Sequence, residues 1–397
     1  MSNTVYIVDG ARTPFGQMGG SLRSISATDL GVISAKEAIH RAQVNANDID
    51  NVVYGNVIHS SRNAAYLARH IALKAGIQQS TPALTINRLC GSGLQSVISA
   101  AQCIMLGESQ LALAGGAENM SMSPFANFKI RFEAQKMGPL QYEDMLLSTL
   151  TDEFCGIGMG TTAENLAEKY DITREEQDEY ALLSQQRTDQ ARLNGELQDE
   201  IVPVEILNKD GTMSYVIEDE HPKPHTTMEK LAQLKPVFKI GGTVTAGNSS
   251  GINDGAASIV LANESYLSKI GKEPLAKIVS WGVAGVDPAY MGIGPVPAIQ
   301  LALSRAGLSL EDIDLIEVNE AFAAQYLAVE RELNLDRNRT NTNGGAIALG
   351  HPVGASGTRI LLTLAYQLRR RKLKYGVASL CIGGGQGIAI VIENVQV

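Results

Sequence analysis

The chain carries two distant copies of one short pattern, and this repeat restricts the folds open to it. Residues 41–50 read RAQVNANDID and residues 305–314 read RAGLSLEDID, aligned without a gap. Each copy follows a stretch with helical spacing and precedes a strand-like run, at residues 52–56 and 316–320. The copies are much farther apart than the roughly 20–50-residue period of a solenoid. We therefore predict two related α/β halves rather than an array of small repeats.

Strand-like and helix-like segments alternate along the chain. Residues 5–8 and 111–114 have the pattern of buried strands, and residues 27–42 have helical spacing. Such alternation is typical of α/β proteins whose sheets are covered by helices. We expect an α/β fold with two duplicated halves and covered mixed sheets.

The middle of the chain differs from both halves. It is richer in Met, in charged residues and in helical pattern, and Thr173 begins a capping-box sequence with Glu176. We predict a first half formed by residues 1–120 with 239–272, an inserted helical and loop domain at 121–238, and a second half at 273–397.

Composition excludes several classes of protein. A net charge of −9 argues against nucleic acid or an anionic membrane as the main partner. No apolar run approaches the roughly 20 residues that span a bilayer, and 4 Cys in 397 residues are too few for a disulfide framework. The termini show no secretory, transit or peroxisomal pattern, so the expected location is the cytoplasm.

Cys90 lies in a glycine-rich turn, residues 87–93, that precedes a stretch with helical spacing. A buried structural cysteine is the ordinary alternative, because a free thiol behaves as a small hydrophobe. However, a thiol near a helix N-terminus is stabilised as the nucleophilic thiolate by unpaired N–H groups and the helix dipole. We favour a nucleophile.

His351 and Cys381 lie in two further glycine-rich turns. His351 stands between Gly350 and Pro352, where an imidazole can accept and return the proton of a nearby thiol. Cys381 follows a strand-like run and precedes three glycines. We interpret Cys90 and Cys381 as occupying corresponding places in the two halves. No CxxC, HxxxH or HExxH pattern supports a metal site, whereas a redox dithiol remains open but leaves His351 without a role.

Asn319 begins a short polar segment, residues 319–322, directly after a strand-like run. Alone, an Asn at such a turn is commonly a helix N-cap. The glycine runs match neither GxGxxG nor GxxxxGK[ST], which disfavours dinucleotide and P-loop sites. Their backbone N–H groups can instead bind an oxyanion.

These motifs, at residues 87–93, 319–323, 344–357 and 381–387, resemble those of the thiolase family over essentially the whole chain. Residues 66–70, 87–93 and 291–297 are most similar to mitochondrial-type 3-ketoacyl-CoA thiolases. The resemblance implies the layered αβαβα thiolase fold. It also implies CoA-dependent, reversible cleavage of 3-ketoacyl-CoA, including acetoacetyl-CoA, by a ping-pong mechanism in fatty-acid degradation.

The resemblance also implies roles for individual residues. Cys90 would carry the acyl group, His351 would activate it, and Cys381 would be the general acid and base at the acetyl α-carbon. Asn319, holding a water, would form one oxyanion hole with His351, and the backbone N–H groups of Cys90 and Gly383 would form the other. Further substrate and CoA contacts would be Ser250, Phe238, Met159, Met291, Lys223, Ala321 and Phe322. CoA is then a substrate, and neither a metal nor a redox cofactor is required.

By the same resemblance the protein would be a homotetramer, with residues 125–138 as the tetramer contact. One departure concerns substrate size: many thiolases restricted to acetoacetyl-CoA have His where this chain has Gly158. Cys155 nearby is interpreted as structural.

Three alternatives stay open. The first is a short-chain acetyl-CoA C-acetyltransferase that makes acetoacetyl-CoA by condensation. The second is a catalytically idle acyl-CoA-binding protein, which would be expected to lack Cys90, His351 or Cys381. The third is a decarboxylating ketosynthase, which would have a second His at position 381.

Overall fold

A computed structural model describes residues 4–133, 137–208 and 210–397. Its strands are β1 (Val5–Arg12), β2 (Gly16–Gln17), β3 (Asn51–Gly55), β4 (Ala83–Ile86), β5 (Leu111–Asn119), β6 (Phe125–Ala126), β7 (Glu143–Asp144), β8 (Thr151–Asp152), β9 (Ile157–Gly158), β10 (Val204–Leu207), β11 (Met213–Val216), β12 (Asn253–Asn263), β13 (Ala276–Gly285), β14 (Leu315–Val318), β15 (Tyr375–Ile382) and β16 (Gln386–Asn394).

Its α-helices are α1 (Ala27–Ala42), α2 (Leu67–Lys74), α3 (Ser92–Met105), α4 (Met145–Thr149), α5 (Met159–Lys169), α6 (Arg174–Leu193), α7 (Met228–Ala232), α8 (Glu264–Ile270), α9 (Pro295–Ala306), α10 (Ala323–Leu333), α11 (Ala346–Leu349) and α12 (Val353–Arg371). Short 3-10 turns lie at Ala46–Asp48, Ala64–Tyr66, Met120–Met122, Pro288–Ile293 and Leu310–Asp312.

The strands of both halves form one mixed sheet, in the order β14-β15-β16-β13-β1-β12-β5-β3-β4, with β2 added beside β12. In the first half, β3 pairs in parallel with β4 and β5, while β12 is antiparallel to β5 and β1. In the second half, β14 and β15 are parallel and β16 is antiparallel to β15 and β13. The halves meet where Tyr6 and Ile7 of β1 pair with β13.

The repeated sequence pattern folds in the same way in both halves. The first copy joins α1 to β3 through the 3-10 turn Ala46–Asp48, and the second joins α9 to β14 through Leu310–Asp312. Each of these strands pairs in parallel with the strand that follows the longest helix between the two, β5 after α3 and β15 after α12. The predicted duplication of the architecture is therefore present in the structure.

Helices cover the strands in layers. The central layer is α3 with α12, which pack on each other and on strands of both halves. On the outside, α1 and α2 cover the first half, while α9 covers β13 and β16. Three large apolar clusters fill the spaces between these layers. As a result, the N-terminal ends of α3 and α12 are held by packing on both halves.

The segment between the halves holds α4–α7 and the small antiparallel pairs β6–β7, β8–β9 and β10–β11. Its longest helix, α6, begins with the predicted capping box: Thr173 Oγ1 accepts the Glu176 N–H while Glu176 accepts the Thr173 N–H. Within the described residues, no helix is long and apolar enough to cross a bilayer.

Candidate active site

Cys90 lies on the turn between β4 and α3, two residues before the first residue of the helix. The preceding residue, Leu89, has a left-handed backbone with φ of 47°. Such a conformation is uncommon for a residue with a side chain, and strain of this kind concentrates at functional sites. The backbone N–H groups of Gly383 and of Cys90 itself point at the Cys90 sulfur.

Burial outweighs these donors and raises the pKa of the Cys90 thiol to about 11. The expectation that the start of α3 stabilises a resting thiolate is therefore wrong. Desolvation of the charged sulfur is larger than the stabilisation by the two N–H groups. Cys90 is a neutral thiol at rest and requires a base.

His351 occupies the corresponding place before α12, two residues ahead of the first helical residue. Gly350, directly before it, has φ of 99°, and a Cβ there would lie 2.4 Å from the Asn253 side chain. Only glycine fits this position. Asn253 Oδ1 in turn accepts the His351 backbone N–H at 2.9 Å, which fixes the turn against β12.

One hydrogen bond sets the tautomer of His351. Ser356 Oγ donates to the Pro352 carbonyl at 2.9 Å, so it can only accept in its 2.6 Å contact with His351 Nδ1. We therefore assign the ring proton to Nδ1. Nε2, which is buried and has no partner among the described residues, keeps its lone pair free.

The environment also keeps His351 neutral. Burial and, as a smaller effect, the positive charge of Arg359 on α12 together lower the pKa of His351 to about 3. Arg359 is itself fully buried, and its guanidinium nitrogens have no hydrogen-bond partner among the described residues. A neutral imidazole with a free Nε2 is the form of histidine that accepts a proton.

Cys381 is buried near the end of β15. Burial raises the pKa of Cys381 well above that of a free thiol, and the nearby sulfur of Cys90 raises it further. Gly383, two residues after Cys381, directs its backbone N–H at the Cys90 sulfur, which brings the two turns together. In the part of the chain that the structure describes, no group of three or more His, Cys, Asp or Glu side chains is arranged to hold a metal ion.

Cys90 and Cys381 do not occupy corresponding places, contrary to the interpretation of the sequence. Cys90 precedes α3, and its counterpart before α12 is His351. Cys381 lies on β15, whose counterpart is β5. The two glycine-rich turns look alike in sequence, but one leads into a helix and the other ends a strand.

Asn319 follows β14, as predicted, and is almost completely buried. Its backbone N–H donates to the Ser379 carbonyl at 2.9 Å, which ties it to β15. Neither its side-chain Oδ1 nor its Nδ2 has a partner among the described residues. A buried amide without a partner is costly, so this side chain is positioned for a ligand or a water.

A cavity of about 260 Å³ opens beside the nucleophile, lined by Leu89, Met159 and Gly383 among others. A narrow space that includes Cys90 leads into it and shares these three residues. The structure therefore brings Cys90, Gly383 and Met159 together, as predicted from the sequence.

A separate groove of about 430 Å³ contains Lys223, together with His221, His225 and Lys230. The Lys223 backbone N–H donates to Gln185 Oε1 at 2.8 Å, and Lys230 donates to the His225 carbonyl at 2.7 Å. The groove combines positive charge with apolar walls.

Most of the other predicted substrate residues pack in or against the large apolar cluster that also contains Cys381. Met291, Ala321 and Phe322 belong to the apolar cluster that contains Cys381, and Met159 packs against that cluster. Phe238 meets Phe322 edge to face, with ring centroids 6.0 Å apart. Ser250 is held near them because its N–H donates to the Ala321 carbonyl at 2.9 Å.

Glu118 is a buried residue near the site that the sequence analysis did not single out. Its buried carboxylate accepts four N–H donors, from Val57, Ile58, Gly354 and the side chain of Asn56, at 2.9–3.1 Å. It thus joins β5 in the first half to the start of α12. Ser356 and Arg359 were missed as well. Ser356 and Arg359 lie in or just after the glycine-rich segment at residues 344–357, whereas the partners of Glu118 come from distant parts of the chain.

The sequence matches the family models described as thiolase N-terminal domain, over residues 5–265, and thiolase C-terminal domain, over residues 272–394. The chain belongs to the thiolase family. The human mitochondrial 3-ketoacyl-CoA thiolase is 52% identical over 390 residues, which cover 98% of this chain and 98% of that protein. An acetyl-CoA acetyltransferase of Allochromatium vinosum is 46% identical over 395 residues, covering 99% of this chain and 100% of the relative.

The fold is the thiolase fold, as predicted. The crystal structure of human mitochondrial 3-ketoacyl-CoA thiolase in complex with CoA matches the chain with a TM-score of 0.96 at 51% identity, covering 99% of this chain and 98% of that chain. The cytoplasmic location expected from the sequence is contradicted, because the human relative of this thiolase is named a mitochondrial enzyme. A compartment is set by addressing signals and not by the folded enzyme.

Proposed function

We propose that this thiolase cleaves 3-ketoacyl-CoA with CoA, giving acetyl-CoA and an acyl-CoA two carbons shorter, in fatty-acid degradation. One observation carries the proposal: the Gly383 N–H, two residues after Cys381, points at the Cys90 sulfur, and His351, with an unpartnered Nε2, lies just before the helix that shares a cavity with Cys90. Cleaving this carbon–carbon bond requires a nucleophile and a separate proton donor, which two thiols supply.

In the first half-reaction, His351 Nε2 takes the Cys90 proton and the thiolate attacks the 3-keto carbon. The bond between C2 and C3 then breaks. The acyl group stays on Cys90, and the electron pair goes to C2 as the enolate of acetyl-CoA. Cys381 donates its proton to C2, and acetyl-CoA leaves.

In the second half-reaction, the Cys381 thiolate takes the proton of an incoming CoA thiol. The CoA sulfur attacks the acyl carbon, the bond to the Cys90 sulfur breaks, and His351 returns its proton to Cys90. Each group ends in its starting state, so the cycle consumes one CoA and predicts ping-pong kinetics. These steps need neither a metal nor a redox cofactor, and CoA is a substrate.

Two oxyanion holes follow from the same geometry. The N–H groups of Cys90 and Gly383 point at the Cys90 sulfur, so they would stabilise the oxygen of an acyl group carried there. The second hole would combine Asn319, through a water, with protonated His351 Nε2, and would bind the thioester oxygen as the enolate forms. Both side chains have unpartnered polar atoms for this purpose.

The groove around Lys223 is the proposed path of CoA, because its cationic side chains suit phosphates and its apolar walls suit the pantetheine arm. On the acyl side, a Cβ on Gly158 would meet only the Leu150 carbonyl, at 3.6 Å. No wall at this position limits the acyl group to acetyl. This favours a broad degradative enzyme over a strict acetyl-CoA C-acetyltransferase.

We also infer a homotetramer, with the contact at residues 125–138, of which 134–136 lie outside the described residues. The large apolar side chains Phe125, Phe128 and Phe132 are more than half exposed in one protomer, which supports an interface there. Light scattering that shows a stable monomer would contradict this assignment.

The activity is tested by a thiolysis assay with CoA, comparing acetoacetyl-CoA with 3-oxodecanoyl-CoA, on the wild type and on Cys90→Ser. We expect the wild type to cleave both and Cys90→Ser to lose both activities. Cleavage of acetoacetyl-CoA alone would assign the short-chain enzyme instead. Cleavage of neither by the wild type would contradict the proposal and favour an acyl-CoA-binding protein.

A further inference from the structure

The space beside Cys90 has two parts of different character. The inner part, which we call the throat, is lined by Cys90, Val57, Leu89, Leu150 and Met159, with Val353, Thr149 and Gly383. The outer part, which we call the chamber, is the 260 Å³ cavity reached through Leu89, Met159 and Gly383. An acyl group on Cys90 longer than the throat has this chamber directly ahead of it.

The chamber is polar where the throat is apolar. Beyond the residues that it shares with the throat, it is lined by Asn87, Ser148, Thr151, Asp152, Glu153 and Gly384. Apolar side chains around the first carbons of an acyl group and hydrogen-bonding side chains around its end do not suit a long hydrocarbon tail. They suit a short or medium chain, whose end is hydrated or polar.

Asp152 is fixed in the lining of the chamber. Its Oδ1 accepts the Phe154 N–H at 2.9 Å, and its backbone lies in β8 paired with Ile157 of β9. Its Oδ2 is buried and has no hydrogen-bond partner among the described residues. The second carboxylate, Glu153, is exposed at the outer edge.

The chamber offers nothing to neutralise a negative ligand. None of the described residues that line it is Lys, Arg or His. A carboxylate brought there would lose water, face Asp152 and find no cation, and each of these effects is unfavourable. A methyl or a hydrogen-bond donor at the same place would meet no such opposition.

We propose that the chamber receives the far end of the acyl group and that Asp152 selects against acyl groups that end in a carboxylate. The inference rests on the proposed thiolysis, since it concerns the same Cys90 intermediate. The favoured substrates are 3-ketoacyl-CoA esters with uncharged or cationic ends. Those with an ω-carboxylate are disfavoured.

The test compares kcat/KM for 3-oxohexanoyl-CoA and 3-oxoadipyl-CoA, which have the same carbon chain and differ in a methyl or carboxylate end. We expect the wild-type kcat/KM to be at least about tenfold higher for 3-oxohexanoyl-CoA, because the ω-carboxylate of 3-oxoadipyl-CoA would be repelled by the charge of Asp152. Asp152→Asn keeps the acceptor for Phe154 and should raise kcat/KM for 3-oxoadipyl-CoA several-fold. Glu311→Gln, which removes one charge from an exposed residue outside the cavity, should leave both values unchanged.

A second variant tests whether the acyl group uses the chamber. Ser148 lines the chamber and not the throat, so Ser148→Phe should lower kcat/KM for 3-oxodecanoyl-CoA far more than that for acetoacetyl-CoA. Equal losses on both substrates would overturn the inference. So would a wild-type preference for 3-oxoadipyl-CoA, or a preference that Asp152→Asn does not change. If the wild type cleaves none of the four esters, the proposed thiolysis fails and the inference fails with it, a result distinguishable from altered selectivity alone.

Discussion

The two helices of the central layer begin in the same way but present different chemistry. Cys90 and His351 each stand two residues before the first helical residue, of α3 and α12 respectively. The residue before each has a left-handed backbone, Leu89 with φ of 47° and Gly350 with φ of 99°. The duplicated fold therefore supplies two equivalent turns, one carrying a thiol and the other an imidazole.

The two helices differ in the residues of their first two turns, which follow Cys90 and His351. At equal distances along the helices, α3 has Gln95 and Ile98 where α12 has Ser356 and Arg359. Ile98 packs in the apolar core, whereas Ser356 orients the imidazole and Arg359 brings a buried positive charge. The same turn thus carries a nucleophile before α3 and a base before α12. The base arises because α12 has polar residues where α3 does not.

Removing the imidazole of His351 should have the largest effect on activity. His351→Asn should lower kcat/KM for thiolysis by about 100- to 10,000-fold, the range for loss of a general base, because the high pKa of Cys90 leaves little thiolate. Steady-state assays measure this effect, with His40→Asn as a control on an exposed residue. A loss smaller than tenfold would show that Cys90 finds its base elsewhere.

The geometry of the His351 turn is tested by Gly350→Ala. The new Cβ would lie 2.4 Å from the Asn253 side chain, and alanine would have to adopt the positive φ of Gly350. The free energy of unfolding should therefore fall by about 3 kcal/mol. Gly19→Ala is the matched control: its φ is 69°, nothing lies within 4 Å, and the loss should be about 1 kcal/mol. Urea denaturation separates the two, and equal losses would show that contact with Asn253 does not matter.

The role of Ser356 sharpens the difference between the two helices. Ser356→Ala removes the acceptor of the Nδ1 proton and should lower kcat/KM about tenfold, the worth of one hydrogen bond. Ser96→Ala, which removes a comparable buried hydroxyl on α3, should leave kcat/KM near the wild-type value. Ser356→Thr keeps the hydroxyl and should restore most of the activity. If Thr and Ala were equally impaired, the hydroxyl would not be orienting the imidazole.

Substitution of Arg359 should have the smallest effect of the four changes, a shift in the pH dependence of kcat/KM. His351 must be neutral to act as a base, so activity falls as the pH drops through its pKa. The other titratable groups around Arg359 are Glu317 in β14, Glu320 just after it, Glu200 and Arg12. Arg359→Met removes a positive charge that lowers the pKa of His351, so the acidic limb of kcat/KM should move to higher pH.

Arg359→Lys keeps that charge and should leave the limb nearer its wild-type position. An unmoved limb in Arg359→Met, with both variants folded by circular dichroism, would mean that Arg359 acts only on the packing of α12.

Much of the architecture could be predicted because it is encoded locally. The repeated pattern gave the equivalence of the two halves, helical spacing gave α1 with its correct bounds, and Thr173 marked the start of α6. The pairing of β1 with β13, which joins the halves in one sheet, could not be predicted. Strand neighbours far apart in sequence depend on how whole layers pack, and no local pattern records that.

The site shows the same division. Glycine-rich turns marked Cys90, His351 and Cys381, because glycine is required where a backbone turns tightly or another group approaches closely. The acidity of Cys90 was misjudged, since burial is a tertiary property. Glu118 and Ser356 were missed because their importance comes from their hydrogen-bond partners, Gly354 and His351. The partner of Glu118 is distant in sequence, so only the fold reveals it.

The central claim is that Cys90 carries the acyl group, and trapping that intermediate tests it most directly. The wild-type protein is mixed with 3-oxohexanoyl-CoA without free CoA, quenched in acid, digested and analysed by mass spectrometry. We predict a butanoyl group on the peptide that contains Cys90, released when CoA is added before the quench. A butanoyl group on Cys381, or turnover in Cys90→Ser, would contradict the account.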